Sequence, residues 1–279
     1  MRHATWQRLE ASPLWHGVYR KYRRLPDGFR APLRALLTPR WQLATHIVRA
    51  ASRRRVVAGP FSGMALQLSP LSQRHLLGYI LGSQELELRS VIERIIARGY
   101  KTIFNVGAAD GYYAVGLAMR LPDVRVEAFE ALPELHSVIE RTARANKVAE
   151  RITIAGQCEV ANLRRSLGAA ISPTLVFMDI EGGEIKLLDP IAVPELRGAD
   201  ICVESHDMFV TGCTETLMER FRDTHDVERY TARPRTLADF PADFLPTLRR
   251  CFPRLAIDMM DERRIGVQEW LYLSARGVH

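Results

Sequence analysis

Apolar and polar positions along this chain fall into short runs whose period alternates between two and 3.6, the pattern of strands interleaved with helices. Val56–Ser69 alternates apolar and small residues around Gly59-Pro60 and Gly63, which predicts a β-hairpin. Gln84–Arg98 carries Leu86, Leu88, Val91, Ile92, Ile95 and Ile96 at core spacing, so it predicts a helix with Ser83 as its cap and Gly99 as its stop. A compact apolar run follows (Thr102, Ile103, Phe104, Val106), then helix-compatible sequence from Tyr112 through Met119. Val124–Phe129 reads as the second strand. Pro133–Lys147 reads as the second helix, with Leu135, Val138, Ile139, Thr142 and Ala145 turned inward. Further strands are expected at Ile152–Ala155, Thr174–Met178, Ile201–Val203, Val227–Tyr230 and Glu269–Leu273. Helices are expected near Ala161–Leu167 and at Thr214–Arg222. Strands alternating with helices in this way make an α/β domain, whose ligands are met beyond the carboxyl ends of the strands. Prolines punctuate Arg233–Pro253, a stretch that suits a substrate-shaping insertion.

The N-terminal part does not follow that alternation. Residues 1–55 hold short amphipathic pieces, with Trp6, Leu9, Leu14, Trp15, Val18 and Tyr19 on one side, interrupted by Pro13, Pro26, Pro32 and Pro39. They carry 13 Lys or Arg against Glu10 and Asp27. The other residues carry 26 bases against 30 acids, so the overall charge of +7 belongs to this leader. The chain therefore divides into a basic helical extension, 1–55, and a mildly acidic body, 56–279. Two readings of the extension stand: a helical piece packed on the body or partly disordered, or a surface for an anionic membrane or acidic partner with Arg53-Arg54-Arg55 as its densest spot. The acidic body weakens a nucleic-acid reading of the domain as a whole.

At 279 residues, 47% hydrophobic and 25% charged, the chain has ordinary globular proportions. Its four cysteines (Cys158, Cys202, Cys213, Cys251) include no C-x-x-C pair. They argue against a zinc ribbon and a disulfide framework, and fit a reducing cytosol. No apolar run approaches the ~20 residues of a membrane span, so a cytoplasmic protein is expected.

The chemistry concentrates in three places. The first is the loop after Val106, Gly107-Ala-Ala-Asp110-Gly111, between a strand and a helix. Gly107 can take a positive φ and lets a ligand approach the backbone, and the helix start beyond Gly111 offers free N–H groups. A dinucleotide site wants G-x-G-x-x-G, but Ala109 and Tyr112 stand where its second and third glycines would be, and Asp110 would repel a pyrophosphate. S-adenosylmethionine has no phosphate and carries an ammonium and a sulfonium, so the loop suits it better. Glu130, ending the second strand, is in register to hold ribose hydroxyls, and Gln157 and Cys158 lie where an adenine would be met, though a simple turn accounts for them equally well. The second place is Asp179-Ile-Glu181-Gly-Gly-Glu184 at the end of the fourth strand. Asp179 and Glu181 should face the ligand, and Glu184 suits a capping charge in the first helical turn. The third is Glu204-Ser-His206-Asp207, where a histidine between two carboxylates is a candidate general base.

Taken together, LGSQELEL before the first strand, FNVGAADGYYAVGLA, VEAFEALPE and FMDIEGGEIKLL resemble the FkbM family of class I S-adenosylmethionine-dependent methyltransferases, from about Phe61 to His206. The resemblance implies a Rossmann-like, seven-stranded, mostly parallel sheet with an antiparallel last strand, and methyl transfer to a hydroxyl of a small molecule or saccharide. By position, Gly107, Asp110 and Gly111 match the family's loop, Glu130 its ribose-binding acid, and Asp179, Glu181, Gly182 and Glu184 its D-x-E-G-x-E motif. Asn105 stands where an aspartate is common, keeping a polar handle for the methionine amino group. The expected base is His206, with Asp179 as its competitor. Mg²⁺ held by Asp179 with Glu204 or Asp207 is a minority alternative. Two rivals remain: an RNA methyltransferase using the arginine-rich leader, and a cofactor-binding scaffold without turnover. Nothing in the residues identifies the acceptor or the oligomeric state.

Overall fold

A computed structural model of the chain describes residues 39–69, 75–262 and 268–277, the side chains of 39–41 excepted. The leader's pieces before residue 39 therefore lie outside the described residues. Two compact units divide the chain, 1–48 and 49–279. Of the first, the described part is the start of helix α1 (Pro39–Ser52).

The second unit is built on a seven-stranded sheet. Its strands and helices are α2 (Leu76–Leu81), α3 (Arg89–Arg98), β1 (Thr102–Val106), α4 (Tyr112–Arg120), β2 (Arg125–Phe129), α5 (Pro133–Ala145), β3 (Ile152–Ala155), α6 (Val160–Gly168), β4 (Thr174–Met178), α7 (Glu184–Leu187), β5 (Asp200–Ser205), α8 (Cys213–Phe221), β6 (His225–Thr231), α9 (Pro246–Cys251), α10 (Pro253–Met260) and β7 (Glu269–Ala275). The strand order is β3-β2-β1-β4-β5-β7-β6. β1 to β5 run parallel, and β7 lies antiparallel to both β5 and β6. This is the Rossmann-like class I methyltransferase fold. The order reverses between β1 and β4, so the crevice beyond their carboxyl ends is where such a sheet receives a ligand.

Strand periodicity divides the side chains between two faces. One face packs Phe104, Val106, Val176, Met178, Ile201, Val203, Leu271 and Leu273 against α6, α8 and their neighbours, through Leu163, Leu167, Leu217 and Phe221. The other is more aromatic: Phe177 lies 4.3 Å from Tyr113 of α4 and 5.2 Å from Trp270 of β7. β4 is buried at every position, as a central parallel strand should be.

Several expectations are corrected in detail. Ser83 caps no helix. Glu85 takes a left-handed φ of 47°, a 3₁₀ turn follows over Leu86–Leu88, and the α-helix begins only at Arg89. The Glu85 backbone N–H donates to Glu262 and its carboxylate accepts from the Tyr113 hydroxyl, contacts that a regular helix from Gln84 would break. Gly99 does end the helix, at φ 72°. Val56–Ser69 does turn back on itself, Val56 N donating to Met64 O at 2.9 Å and Gly63 N to Val56 O at 2.8 Å, but the pairing there is a single antiparallel bridge, Arg55 to Ala65, and no longer ribbon. The Asn146 carboxamide occupies both the N–H and the C=O of Ala65, at 2.8 and 2.9 Å. In α5, Ala143 rather than Ala145 faces the core. The four cysteines are free thiols, and no helix among the described residues is long and apolar enough to cross a membrane.

Candidate active site

The loop between β1 and α4 is shaped by its backbone. Gly107 has φ 83°, and a Cβ there would lie 1.9 Å from the Asp179 carbonyl oxygen, so only glycine lets the β1 and β4 ends meet. The N–H groups of Gly107 and Ala108 both donate to Phe129 O at the end of β2, at 3.0 and 2.9 Å. Ala109 takes φ 47°, and its N–H donates to Glu130 Oε2 at 2.8 Å. The other carboxylate oxygen of Glu130 accepts from Leu132 N at 2.9 Å. Glu130 is thus fixed between the β1–α4 loop and the start of α5, with lone pairs left on both oxygens.

Asn105 and Asp110 complete this end. Both are buried. Asn105 Nδ2 donates to Phe177 O at 3.4 Å, and Asp110 Oδ1 accepts from Ser69 N at 3.1 Å. Asn105 Oδ1 and Asp110 Oδ2 find no hydrogen-bond partner among the described residues. Two orphaned buried acceptors at one loop are costly unless a donor arrives, and an ammonium is such a donor. The residues present therefore fit the amino-acid end of S-adenosylmethionine. Beyond β3, Gln157 is exposed and Cys158 half-buried, next to the α6 cap made by Glu159 and Asn162. Burial, then the charges of Glu127 and Glu159, push the Cys158 thiol up to about 12, which keeps it protonated.

At the ends of β4 and β5 the geometry comes from side chains. His206 follows β5 directly and is 5% exposed. Its Nδ1 lies 2.5 Å from Oε1 of Glu184, a carboxylate with 0% exposure that also accepts from Gly182 N at 3.2 Å. Nε2 lies 3.6 Å from Asp179 Oδ1 and 3.7 Å from Glu204 Oε2. Burial, the largest single influence, lowers the imidazole pKa. The Glu184 hydrogen bond and the charges of Asp179, Glu184 and Glu181 together outweigh it and hold the ring above its ordinary value. Glu181 is exposed, with φ 32°.

The expected pairing of His206 with its sequence neighbours is half right. Glu204 is near Nε2, but Asp207 turns away and accepts from the Thr214 hydroxyl at the start of α8. The carboxylate that orients the ring is Glu184, brought in by the short helix α7, whose last carbonyls are held by Arg220. Glu184 is thus more than the capping charge expected of it. A signal was present: a third acid in six residues that could not be buried without a partner. Asp179, Glu204 and His206 each bring one donor atom within 4.8 Å of the others, a set that could also receive a divalent cation.

No protein-family model matches the chain. Over 124 residues it is 33% identical to the release factor glutamine methyltransferase of Chlorobaculum tepidum, an alignment covering 42% of this chain and 38% of that protein. The chain thus matches well under half of that relative's length. Among solved structures, it is similar to a putative O-methyltransferase from Klebsiella pneumoniae (13% identity, TM-score 0.43, covering 83% of this chain and 90% of that one). It is also similar to the O-methyltransferase TomG from Streptomyces achromogenes, solved with S-adenosylmethionine (14% identity, TM-score 0.44, covering 80% and 98%). The fold assignment rests on the order and directions of the strands, not on these two likenesses.

Proposed function

We propose that this chain is an S-adenosylmethionine-dependent methyltransferase of FkbM type that methylates a hydroxyl of a small molecule or saccharide. The observation that carries this reading is a buried imidazole, oriented by a buried carboxylate, beside a strand end that touches the glycine of the cofactor loop. Bound S-adenosylmethionine supplies an electrophilic methyl group on its sulfonium. In this reading Asn105, Gly107, Asp110 and Gly111 hold its amino-acid end, Glu130 takes the ribose hydroxyls, and Gln157 and Cys158 border the adenine. Asp179 and Glu181 line the crevice on the β4 side.

His206 Nε2 takes the hydroxyl proton of the acceptor as its oxygen bonds to the methyl carbon and the carbon–sulfur bond breaks. Glu184 keeps the other proton on Nδ1, which leaves the Nε2 lone pair free to act. Asp179 and Glu204, both within 4 Å of Nε2, stabilise the imidazolium that results. The lone pair that would bind a cation is the one that takes the proton, so this reading uses no Mg²⁺.

Calorimetric titration with S-adenosylmethionine and S-adenosylhomocysteine, followed by a methyl-transfer screen over hydroxylated small molecules, tests the proposal. Micromolar binding and turnover that survives EDTA are expected. His206→Ala should retain the binding and lose about 10²–10⁴-fold in rate, the usual worth of a positioned base. Binding without conversion to S-adenosylhomocysteine would favour a scaffold. Turnover lost to EDTA and restored by Mg²⁺ would give the lone pair to a metal. No binding to either ligand by the folded protein would overturn the reading.

A further inference from the structure

Away from the crevice, positive charge without acidic partners gathers around α2. No acidic residue falls between Asp27 and Glu85, and none between Asp243 and Asp258. Both gaps hold arginines. Arg53 and Arg54, just past the end of α1, are exposed and take left-handed φ values of 52° and 59°. Arg249, Arg250 and Arg254 belong to the helical hairpin α9–α10. Among the described residues, none of these five side chains makes an ion pair or a hydrogen bond, and Arg249 Nε is buried without a partner. Near β6, by contrast, Arg229, Arg233 and Arg276 each meet a carboxylate.

Both groups border the same short helix. α10 buries Ala256, Met259 and Met260 and packs against α2. Leu76 and Ile80 of α2 line a cavity of about 80 Å³ together with Arg49, Arg54 and Leu66. At the apex of the hairpin, every residue from Arg250 to Arg254 is exposed, and Phe252, 60% exposed, stands between the arginines. Its position is fixed by backbone: Phe252 N donates to Leu248 O at 2.8 Å, and Phe252 O accepts from Ala256 N at 3.1 Å. Pro246 and Pro253 start the two helices and pre-set their first turns. A large ring held out in water by ordered backbone, with cations on both sides, has the chemistry to enter the boundary of an anionic bilayer. The ring goes among the acyl chains while the guanidiniums stay at the headgroups.

We propose that this flank is a docking surface for an anionic lipid bilayer, with Phe252 inserted and Arg53, Arg54, Arg250 and Arg254 on the headgroups. The apex ring and the placing of the charge select this occupant over a nucleic acid. A bilayer touches one flank only, whereas a polyanionic strand reaching from these arginines to the crevice would cross a body with 26 bases against 30 acids. The proposal carries the basic surface expected around Arg53-Arg54-Arg55 into the body, and it stands independently of the methyltransferase reading.

Co-sedimentation of the full chain with phosphatidylcholine vesicles, with and without phosphatidylglycerol, tests this. Binding should be about tenfold or more tighter to the anionic vesicles and should weaken as salt rises. Arg250→Gln with Arg254→Gln should lower that affinity by about tenfold or more, at about fivefold per charge, and Arg53→Gln with Arg54→Gln should do likewise. Phe252→Ser should lower it by about tenfold with the salt dependence kept, an effect that purely electrostatic adhesion would not show. All of these positions are exposed, so thermal melts of the variants should match the wild type. Equal binding to both vesicles overturns the proposal. So does anionic binding that none of the α9–α10 substitutions reduces, which would assign the adhesion to the leader alone. Salt-dependent binding of a single-stranded RNA oligomer that the arginine variants abolish, with no binding to vesicles, overturns it too and gives the flank to a nucleic acid.

Discussion

The two sides of the crevice are constructed differently. On the β1–β2 side, position is set by backbone: Gly107, Ala108 and Ala109 donate to Phe129 O and Glu130, and Glu130 is fixed by two N–H groups at 2.8 and 2.9 Å. On the β4–β5 side, position is set by side chains meeting from separate segments, with Glu184 against His206 and Asp179 and Glu204 beyond it. A backbone-built side tolerates changes in most of its side chains but not in the residues that shape the chain. A side-chain-built one keeps its shape when a group is changed but loses its chemistry. Preparing a bound cofactor needs the first property, and timing a proton transfer needs the second.

The largest expected effect comes where the two sides touch. Gly107→Ala would set a Cβ 1.9 Å from the Asp179 carbonyl oxygen at φ 83°. The left-handed conformation costs about 1–2 kcal/mol and forced displacement in a packed region about 1–3 more. Urea unfolding should show a loss of several kcal/mol, with S-adenosylhomocysteine affinity falling in step. A variant of nearly wild-type stability would mean that the sides are not in fixed contact and that the contrast between them is overdrawn.

That contrast also decides what the sequence makes legible. The loop and Glu130 are local: a glycine at a strand end and an acid at the next strand end mark candidate ligand positions through spacing alone. The strands were legible for the same reason, and Ile152–Ala155 and Thr174–Met178 lie where their apolar runs place them. Glu184 and His206 are 22 residues apart, and their meeting depends on α7 and on the crossover to β5, so sequence adjacency pointed to Glu204 and Asp207 instead. Glu85 was hidden inside a convincing helical period. Its strain answers to Glu262, 177 residues away, and no local pattern carries that contact.

A smaller effect would sharpen the side-chain half. Glu184→Gln keeps the shape at His206 Nδ1 but removes the charge that raises the ring. The pKa of His206 is held above its ordinary 6.5, so the wild-type rate should rise along a limb lying above that pH, as the ring loses its proton. Without Glu184 the opposing influence, burial, gains weight, and the limb should move to lower pH while the plateau falls by about tenfold or more. Stability carries the matching sign. A raised folded pKa contributes stability that is fully present below the unfolded value and is lost as pH rises through the folded one. Melts of the wild type should therefore fall over that window more than those of Glu184→Gln. An unmoved limb would assign the base to another group, Asp179 being the competitor.

The smallest expected effect tests whether the outer rim belongs to the site. Phe209 is half exposed, its ring 5.7 Å from that of His206, and its Cβ would meet a side chain at Gly182 at 3.3 Å. Met208 beside it is equally exposed, which gives the mouth of the crevice an apolar lip next to the proposed base. Truncating a side chain that protrudes into water removes little packing, so Phe209→Ala should change stability by no more than about 0.5 kcal/mol. Its effect should fall on the acceptor instead, raising KM by about three- to tenfold with little change in S-adenosylmethionine affinity, since one ring face in a partly wet contact is worth about 1 kcal/mol. A KM that stays put would confine acceptor recognition to the interior groups and the Arg233–Pro253 insertion. A loss of cofactor affinity would show instead that the two sides are coupled through Gly182, and the division between a backbone-built and a side-chain-built half would then have to be redrawn at that glycine.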